Sequence, residues 1–549
     1  MTGPHWIIVP IVLPLLVGAL AIVLERRARA ALWPLSLLTV LALAAVNLGL
    51  LERASGGTIE AYLLGNWRAP FGIALALDRL AALMLSLTTL VALASLLYAR
   101  GKEEFEGPFF HPLFMFQLMG LNGAFLTADL FNLFVFFEVL LIASYGLVLH
   151  GAARARLNAS IHYVVFNLTA STLFLFALAL IYATTGTLNM ADLAVRAATI
   201  SAADAPLLHA AALMLLVVFC VKAALLPLYF WLPETYAAAC ASAAALFAIM
   251  TKVGVYSIAR TYTLAFGVSA TSFGPVATPW LPTLALGTLA LAAIGVLAAR
   301  RLRTLAAYWV VGSAGTLLFT LGMGSEAALG AGLFYLVPST LTAAALFLVI
   351  DRIARARGAG GDTIDGRAWH GTSRWGLALA FLFCALSAAG LPPLGGFLAK
   401  IQVLVAALES GFAALAWPLV LLAGLAYVVA FARVGSELFW KAPAGLARAE
   451  SITLDASRTT QYAAIMLLGA SLAAVAILAA PLARYASATA SQLLARTPYI
   501  DAVLGQPAVT PAWNPRAGMI KEGAAGSTGS SALDPGQGAP GQTLPGTPL

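Results

Sequence analysis

The chain has 549 residues, 61% of them hydrophobic and only 10% charged, with a mean hydropathy of +0.92; that composition excludes an ordinary soluble protein. The net charge of +8 comes from basic residues in alternate loops between apolar runs, so it reads as membrane topology and not as a nucleic-acid surface. Cys220, Cys240 and Cys384 lie in or beside apolar runs without CxxC spacing and read as small core residues, not as ligands or a disulfide set.

Runs long enough to cross a bilayer of about 30 Å, at about 1.5 Å per residue, are predicted at residues 4–25, 31–51, 75–99, 109–128, 129–149, 159–184, 207–233, 237–264, 280–299, 304–323, 326–350, 375–408, 413–436 and 460–482. The fold class is therefore an all-α polytopic membrane protein of about fourteen transmembrane helices. The first run is expected to be a retained helix and not a signal peptide, because no Lys or Arg precedes it and ERRARA (25–30) follows it. Basic residues gather after the first, third, fifth, ninth, eleventh and thirteenth runs, including Arg26, Arg100, Arg156, Arg303, Arg355 and Lys441, whereas the loops after the eighth, tenth and twelfth have none. Basic loops stay cytoplasmic, which puts both termini outside. Beyond the last run, residues 485–497 are expected to form one short surface helix, and the Pro, Gly, Ser and Thr content from Gly505 onward predicts a disordered tail.

Four ionisable residues fall deep within these runs: Glu138, Lys222, Lys252 and Lys400. A charge at bilayer depth costs about 2.5 to 3.5 kcal/mol, so each needs a reason. One reason is structural, a buried ion pair for Glu138 or a snorkelling stem for a lysine; the other is an ion pathway, which intramembrane charges usually mark. Lys222 and Lys252 lie too far from their helix ends for snorkelling, whereas Lys400 follows a helix break. An acid and several lysines in a low-dielectric medium make a coupled set of proton sites, since moving opposite charges together or apart changes which group holds the proton. Glu138 is the expected gate.

Two of the runs are interrupted. "LLPLYFWLP" (225–233) lies beside Lys222 and "GLPPLGG" (390–396) beside Lys400; each puts prolines inside an otherwise spanning run and frees backbone carbonyls at membrane depth. Either these are simple kinks, or they are the paired broken helices of an inverted-repeat transporter with ion sites at the midplane. Asp129 is expected to cap the helix that carries Glu138, and His162 reads as a satisfied polar group or a point of proton entry. Glu234 and Arg260 are expected near segment ends in reach of water, and Trp231, Trp309 and Tyr308 in an interfacial belt. "RGAGGDTIDG" (357–366) reads as a flexible loop and not a nucleotide cradle, and there is no Walker, haem-attachment, iron-sulfur or HExxH motif. No cofactor is expected, and no energy source is visible in the chain.

"LFNLFVFFEVLLIASY", "VKAALLPLYFWLPE", "TKVGVYSIAR" and "GLPPLGGFLAK", in that order, resemble the antiporter-like subunits shared by respiratory complex I and the multisubunit Mrp-type Na+/H+ antiporters, over roughly residues 75–439. The resemblance implies two inverted five-helix repeats, the fourth to eighth and ninth to thirteenth helices. It also implies a charge pair between Glu138 and Lys222, and a proton path continuing through Lys252 and Lys400. On that basis the domains are 1–100 (three helices), 101–270 and 271–440 (the repeats), 441–484 (loop and last helix) and 485–549 (tail). "TGTLNMADLA" (185–194) looks most like the D subunits of Mrp, Pha or Mnh antiporters. Complex I members commonly keep a basic residue or histidine on the eleventh helix and a histidine after the broken seventh; here the eleventh has Pro338, Thr340 and Thr342 before Asp351, and "ETYAAAC" follows the seventh. Both departures favour the antiporter branch. They leave the link from Lys252 to Lys400 to water or to hydroxyls such as Ser313, Ser339 and Thr342.

The resemblance thus implies a secondary-transporter subunit, not an enzyme, working with other membrane subunits in the inner (plasma) membrane. Protons and a monovalent cation, Na+ or K+, are its cargo. The alternative is a proton-pumping membrane subunit of a complex I-like NADH:quinone oxidoreductase, and a membrane scaffold with inert ion pairs is a third reading.

Overall fold

Lipid offers the backbone no hydrogen-bond partners, so an apolar run satisfies its amides internally as helix. The computed structural model describes residues 4–151, 154–267, 270–271, 274–358, 361–364, 374–440 and 456–505. In chain order the helices are α1 (Val9–Leu24), α2 (Leu32–Ser55), α3 (Arg79–Ala99), α4 (Phe110–Leu126), α5 (Leu130–Leu149), α6 (Arg154–Thr185), α7 (Met190–Ala198), α8 (Ala205–Ala223), α9 (Trp231–Ala238), α10 (Ala241–Leu264), α11 (Leu281–Ala298), α12 (Leu302–Met323), α13 (Glu326–Ala356), α14 (Arg374–Ala389), α15 (Gly395–Glu409), α16 (Ala413–Gly435), α17 (Ala456–Ile477), α18 (Ala479–Leu494) and α19 (Arg496–Leu504). Among the described residues 11 helical stretches are long and apolar enough to cross a membrane, with α1 and most of α14 as shorter apolar helices.

The all-α expectation needs one correction. Between α2 and α3 a small hairpin pairs β1 (Glu60–Leu63) with β2 (Ala74–Leu77) antiparallel, Glu60 opposite Leu77. Each strand is four residues long, too short to display a period of two, and β2 is wholly buried, so in the sequence it merges with the apolar run that follows. A second difference lies at the far end. Where one surface helix over 485–497 is expected, the structure has α18 and α19, with α18 packed against α13. The expected tail beyond Gly505 lies outside the described residues, as do 359–360 and 365–366 of the glycine-rich loop and the loop residues Arg367, Lys441 and Arg448. Residues 361–364 of that loop are tied down: Asp362 pairs with Arg301 at 3.0 Å and its carbonyl accepts from Leu302 N.

The centre of the molecule is built from α10 and α13, whose spanning windows are entirely buried. α10 opens with Ala241, Ser242, Ala243, Ala244 and Ala245, small side chains that let neighbouring helices approach closely. At Gly254 the approach is closest: a Cβ there would lie 2.6 Å from the backbone nitrogen of Ala223 on α8. The peripheral helices turn large apolar side chains outward, among them Leu38, Ile142, Leu379 and Leu422, as a lipid solvent requires.

Candidate functional site

α5 starts where Asp129 Oδ1 accepts from Asn132 N at 2.8 Å, so the expected cap is present. Nine residues on, about 13 Å along the axis, Glu138 is half-buried and accepts a short hydrogen bond from the Ser171 hydroxyl of α6. Lys222, near the end of α8, is buried and donates from Nζ to Asn167 Oδ1 at 3.1 Å and to the Asn167 carbonyl at 3.4 Å. The Phe137 ring lies 5.8 Å from the same ammonium.

The direct Glu138–Lys222 pair implied by the resemblance is absent among the described residues. No carboxylate oxygen lies within 4.0 Å of Nζ, although Glu138 is near enough to attract Lys222 electrostatically. The physical reason is α6. Asn167 and Ser171 are four residues apart and share one helix face, so α6 stands as a polar rib between the acid and the lysine. Sequence reasoning passed over both residues, yet the signal was there: an amide and a hydroxyl at i and i+4 in an apolar run.

The two helix breaks have the same local geometry. After α8, Leu225 N donates to Cys220 O at 3.0 Å and Ala224 N to Val221 O at 3.1 Å; after α14, Leu391 N donates to Leu386 O at 2.9 Å and Gly390 N to Ser387 O at 3.2 Å. This six-to-one and five-to-two pattern is the Schellman ending, with Ala224 (φ 59°) and Gly390 (φ 72°) in the left-handed position. At Gly390 a Cβ would also fall 2.5 Å from Lys400 Cδ, so any other side chain there would displace the lysine. The carbonyls set free find buried partners. Trp231 Nε1 donates to Val221 O at 3.1 Å and Trp309 Nε1 to Ala388 O at 3.1 Å. Lys400 Nζ donates to Ala389 O at 2.6 Å and Ala388 O at 3.5 Å. The belt reading of Trp231 and Trp309 is thereby corrected: both are buried and serve the breaks, while Tyr308 is half-buried.

Lys252, at the middle of α10, is fully buried and donates to Ser313 Oγ of α12 at 2.9 Å. Of the three hydroxyls expected to bridge toward Lys400, Ser313 meets a lysine, Ser339 bonds its own helix at Leu336 O, and Thr342 pairs with Ser387 at 2.7 Å. Lys400 lies 5.4 Å from the centre of the Tyr427 ring on α16. Glu138, Lys222, Lys252 and Lys400 thus sit on α5, α8, α10 and α15, no two of them directly bonded. Among the described residues no group of three or more His, Cys, Asp or Glu could hold a metal ion.

α10 is pinned by buried charge at both ends. At its start Glu103 accepts from Ser242 N at 3.0 Å, Ala241 N at 3.3 Å and Arg355 Nη2 at 2.7 Å, and Asp351 accepts from Arg303 at 2.6 Å and the Tyr98 hydroxyl at 2.6 Å. At its end Arg260, expected in reach of water, is buried and paired with Asp78 at 2.6 Å. Asp78 comes from the N-cap of α3, a partner the sequence cannot place. Glu234 and His162 are exposed.

Residues 127–426 match the family model described as NADH:quinone oxidoreductase/Mrp antiporter, TM. The chain belongs to this family. It is a multi-pass membrane protein, as the resemblance in its motifs implies. The probable K(+)/H(+) antiporter D subunit of Rhizobium meliloti is 42% identical over 537 residues, covering 92% of this chain and 98% of the relative. The Na(+)/H(+) antiporter D subunit of Alkalihalophilus pseudofirmus is 35% identical over 510 residues, covering 91% and 99%. Among solved structures, a chain of the Mrp complex from Dietzia sp. DQ12-45-1b superposes with a TM-score of 0.80 at 26% identity, over 92% of this chain and 100% of that one.

Proposed function

We propose that this chain is the proton-translocating subunit of a multisubunit monovalent cation/proton antiporter, with Glu138, Lys222, Lys252 and Lys400 as its relay. The carrying observation is the match, over 92% and 91% of this chain, to relatives named as K(+)/H(+) and Na(+)/H(+) antiporter subunits. Protons and Na+ or K+ are the cargo, the partners are further membrane subunits, and the lipid bilayer of the plasma membrane is the solvent. Both termini lie outside, a reading supported by Arg303 and Arg355, which pair with Asp351 and Glu103 respectively at one end of α10.

The fourteen spans are α1 to α6, α8 with α9, α10 to α13, α14 with α15, α16 and α17. The inverted repeats are α4 to α10 without the short α7, and α11 to α16. In each repeat the fourth of five spans is the broken one, and the shared Schellman ending supports that correspondence. The 1–100 segment precedes the repeats, and 441–484 and 485–549 follow them.

The residues suggest how a proton moves. Glu138 holds it on the carboxyl group oriented by Ser171. Lys222 takes it when the ammonium is held by the two Asn167 oxygens. Lys252, in contact with Ser313, receives it at the centre of α10, and Lys400 holds it against the carbonyls freed after α14. Polar partners, and not a carboxylate bonded to it, stabilise each lysine's charged form when it holds a proton, so small helix displacements change its proton occupancy.

The test is a pH-dye assay in everted vesicles containing the whole complex, acidified by respiration. Addition of Na+ or K+ releases the gradient if the complex is an antiporter. A complex I-like pump instead leaves the gradient unchanged on cation addition, and its loss lowers acidification by NADH.

A further inference from the structure

The relay has a gap between Lys252 and Lys400, since on α13 Ser339 bonds its own helix and Thr342 pairs with Ser387. We propose that the Tyr427 hydroxyl on α16 closes it, carrying protons between the Lys252–Ser313 pair and Lys400. This rests on the relay reading above and adds a residue to it.

Tyr427 is 3% exposed. Its ring lies beside Lys400 and its hydroxyl beside Gly312 of α12. The Lys400 ammonium lies 5.4 Å from the ring centre, and Gly424, one turn earlier on α16, is also beside Lys400, where a Cβ would stand 3.9 Å from Nζ. At the far end of the ring, the hydroxyl rests against Gly312 of α12, next in sequence to the Ser313 that holds Lys252. A Cβ at Gly312 would lie 2.1 Å from the Tyr427 oxygen, so the hydroxyl occupies the space of the missing side chain. Thr316, one turn along α12, donates to the Gly312 carbonyl at 3.1 Å and interacts with the Tyr335 hydroxyl of α13. The end of the tyrosine therefore enters a patch of hydroxyl groups.

Among the described residues the Tyr427 hydroxyl is a buried polar atom with no hydrogen-bond partner. Leaving such a group unmade costs about 1 to 3 kcal/mol, and phenylalanine would fill the same volume without that cost. A buried, unsatisfied hydroxyl on a ring beside Lys400, against the residue next to the serine that holds Lys252, is accounted for by a transient partner. In the proposed step the oxygen accepts a proton from the Ser313 side while its own proton passes toward Lys400, with water molecules completing the links. One proton enters as one leaves, and the tyrosine stays neutral throughout.

The experiment uses the assembled complex in everted vesicles, with Tyr427→Phe, Tyr427→His, Lys252→Ala and Lys400→Ala compared by cation-driven release of the pH gradient, and assembly checked by co-purification of the partner subunits. Tyr427→Phe is expected to slow antiport at least tenfold in an assembled complex, and Tyr427→His, which both donates and accepts, to recover a substantial part of the rate. A packing role predicts the reverse order, because phenylalanine keeps the shape and histidine does not. Wild-type rate in Tyr427→Phe, with the lysine variants inactive, overturns this inference alone, as does a histidine variant no faster than the phenylalanine one. Full activity in Lys252→Ala and Lys400→Ala overturns the relay reading, and this inference falls with it.

Discussion

The Asp78–Arg260 pair is the cleanest place to test the packing of α10. The change Asp78→Asn removes one charge and keeps the cap, since asparagine caps helices as well as aspartate does and Ala81 N still has an acceptor 2.9 Å away. Arg260, 3% exposed, is then left as an uncompensated buried cation. Breaking one side of a buried pair costs about 3 to 5 kcal/mol. The Tyr256 and Tyr499 rings, 5.5 and 4.9 Å from the guanidinium, return about 1 to 2 kcal/mol by cation–π attraction. The net loss is about 1 to 4 kcal/mol, roughly a 5- to 700-fold rise in the open population. Cys220, Cys240 and Cys384 are all free and buried, so maleimide labelling of the purified complex reads opening directly. Labelling is expected to accelerate on that scale in Asp78→Asn and to return most of the way in Asp78→Asn with Arg260→Met, where no charge remains. A single variant that labels at the wild-type rate, or a double variant no slower than the single, would refute the argument.

Ser171→Ala removes the only hydroxyl bonded to Glu138 among the described residues; a hydrogen bond to a charged group contributes about 1.5 to 3 kcal/mol, so antiport is expected to slow roughly tenfold or more, with Ser171→Thr near wild type in the same dye assay. His150, just beyond α5, donates from Nε2 to the Glu103 carbonyl at 2.7 Å and is buried. Burial is the main cause that lowers its pKa, against the Glu103 carbonyl and Glu106, which raise it, and with Arg156 and Arg29, which lower it further. As pH falls below the usual histidine value near 6.5, the unfolded chain gains a proton that the folded chain refuses, so stability drops, by at most about 1.4 kcal/mol per pH unit. The melting midpoint of the complex between pH 7 and 5.5 is expected to fall less steeply in His150→Gln than in the wild type.

Much of the helical plan was legible because lipid imposes one rule on every span: an apolar run at least a bilayer long must be helix. The two breaks were legible for the same reason, since proline at membrane depth has few alternatives to ending the helix. The gaps in the reading share a cause. Asn167, Ser171, Asp78 and Tyr427 matter through partners from other helices, and a chain of mostly buried spans carries no periodic signal that says which neighbour a polar side chain will meet. Trp231 and Trp309 were misplaced by a composition rule, because a tryptophan near a span end looks the same whether its indole meets a headgroup or a freed carbonyl. The β1–β2 hairpin was hidden by its length.

The central claim is that Glu138 is the proton gate of a cation antiporter, and the most direct measurement is cation-driven release of the pH gradient in everted vesicles carrying Glu138→Gln in a fully assembled complex. The account predicts that Na+ or K+ collapses the gradient in the wild type and leaves it standing in the variant. Equal release in both would contradict it.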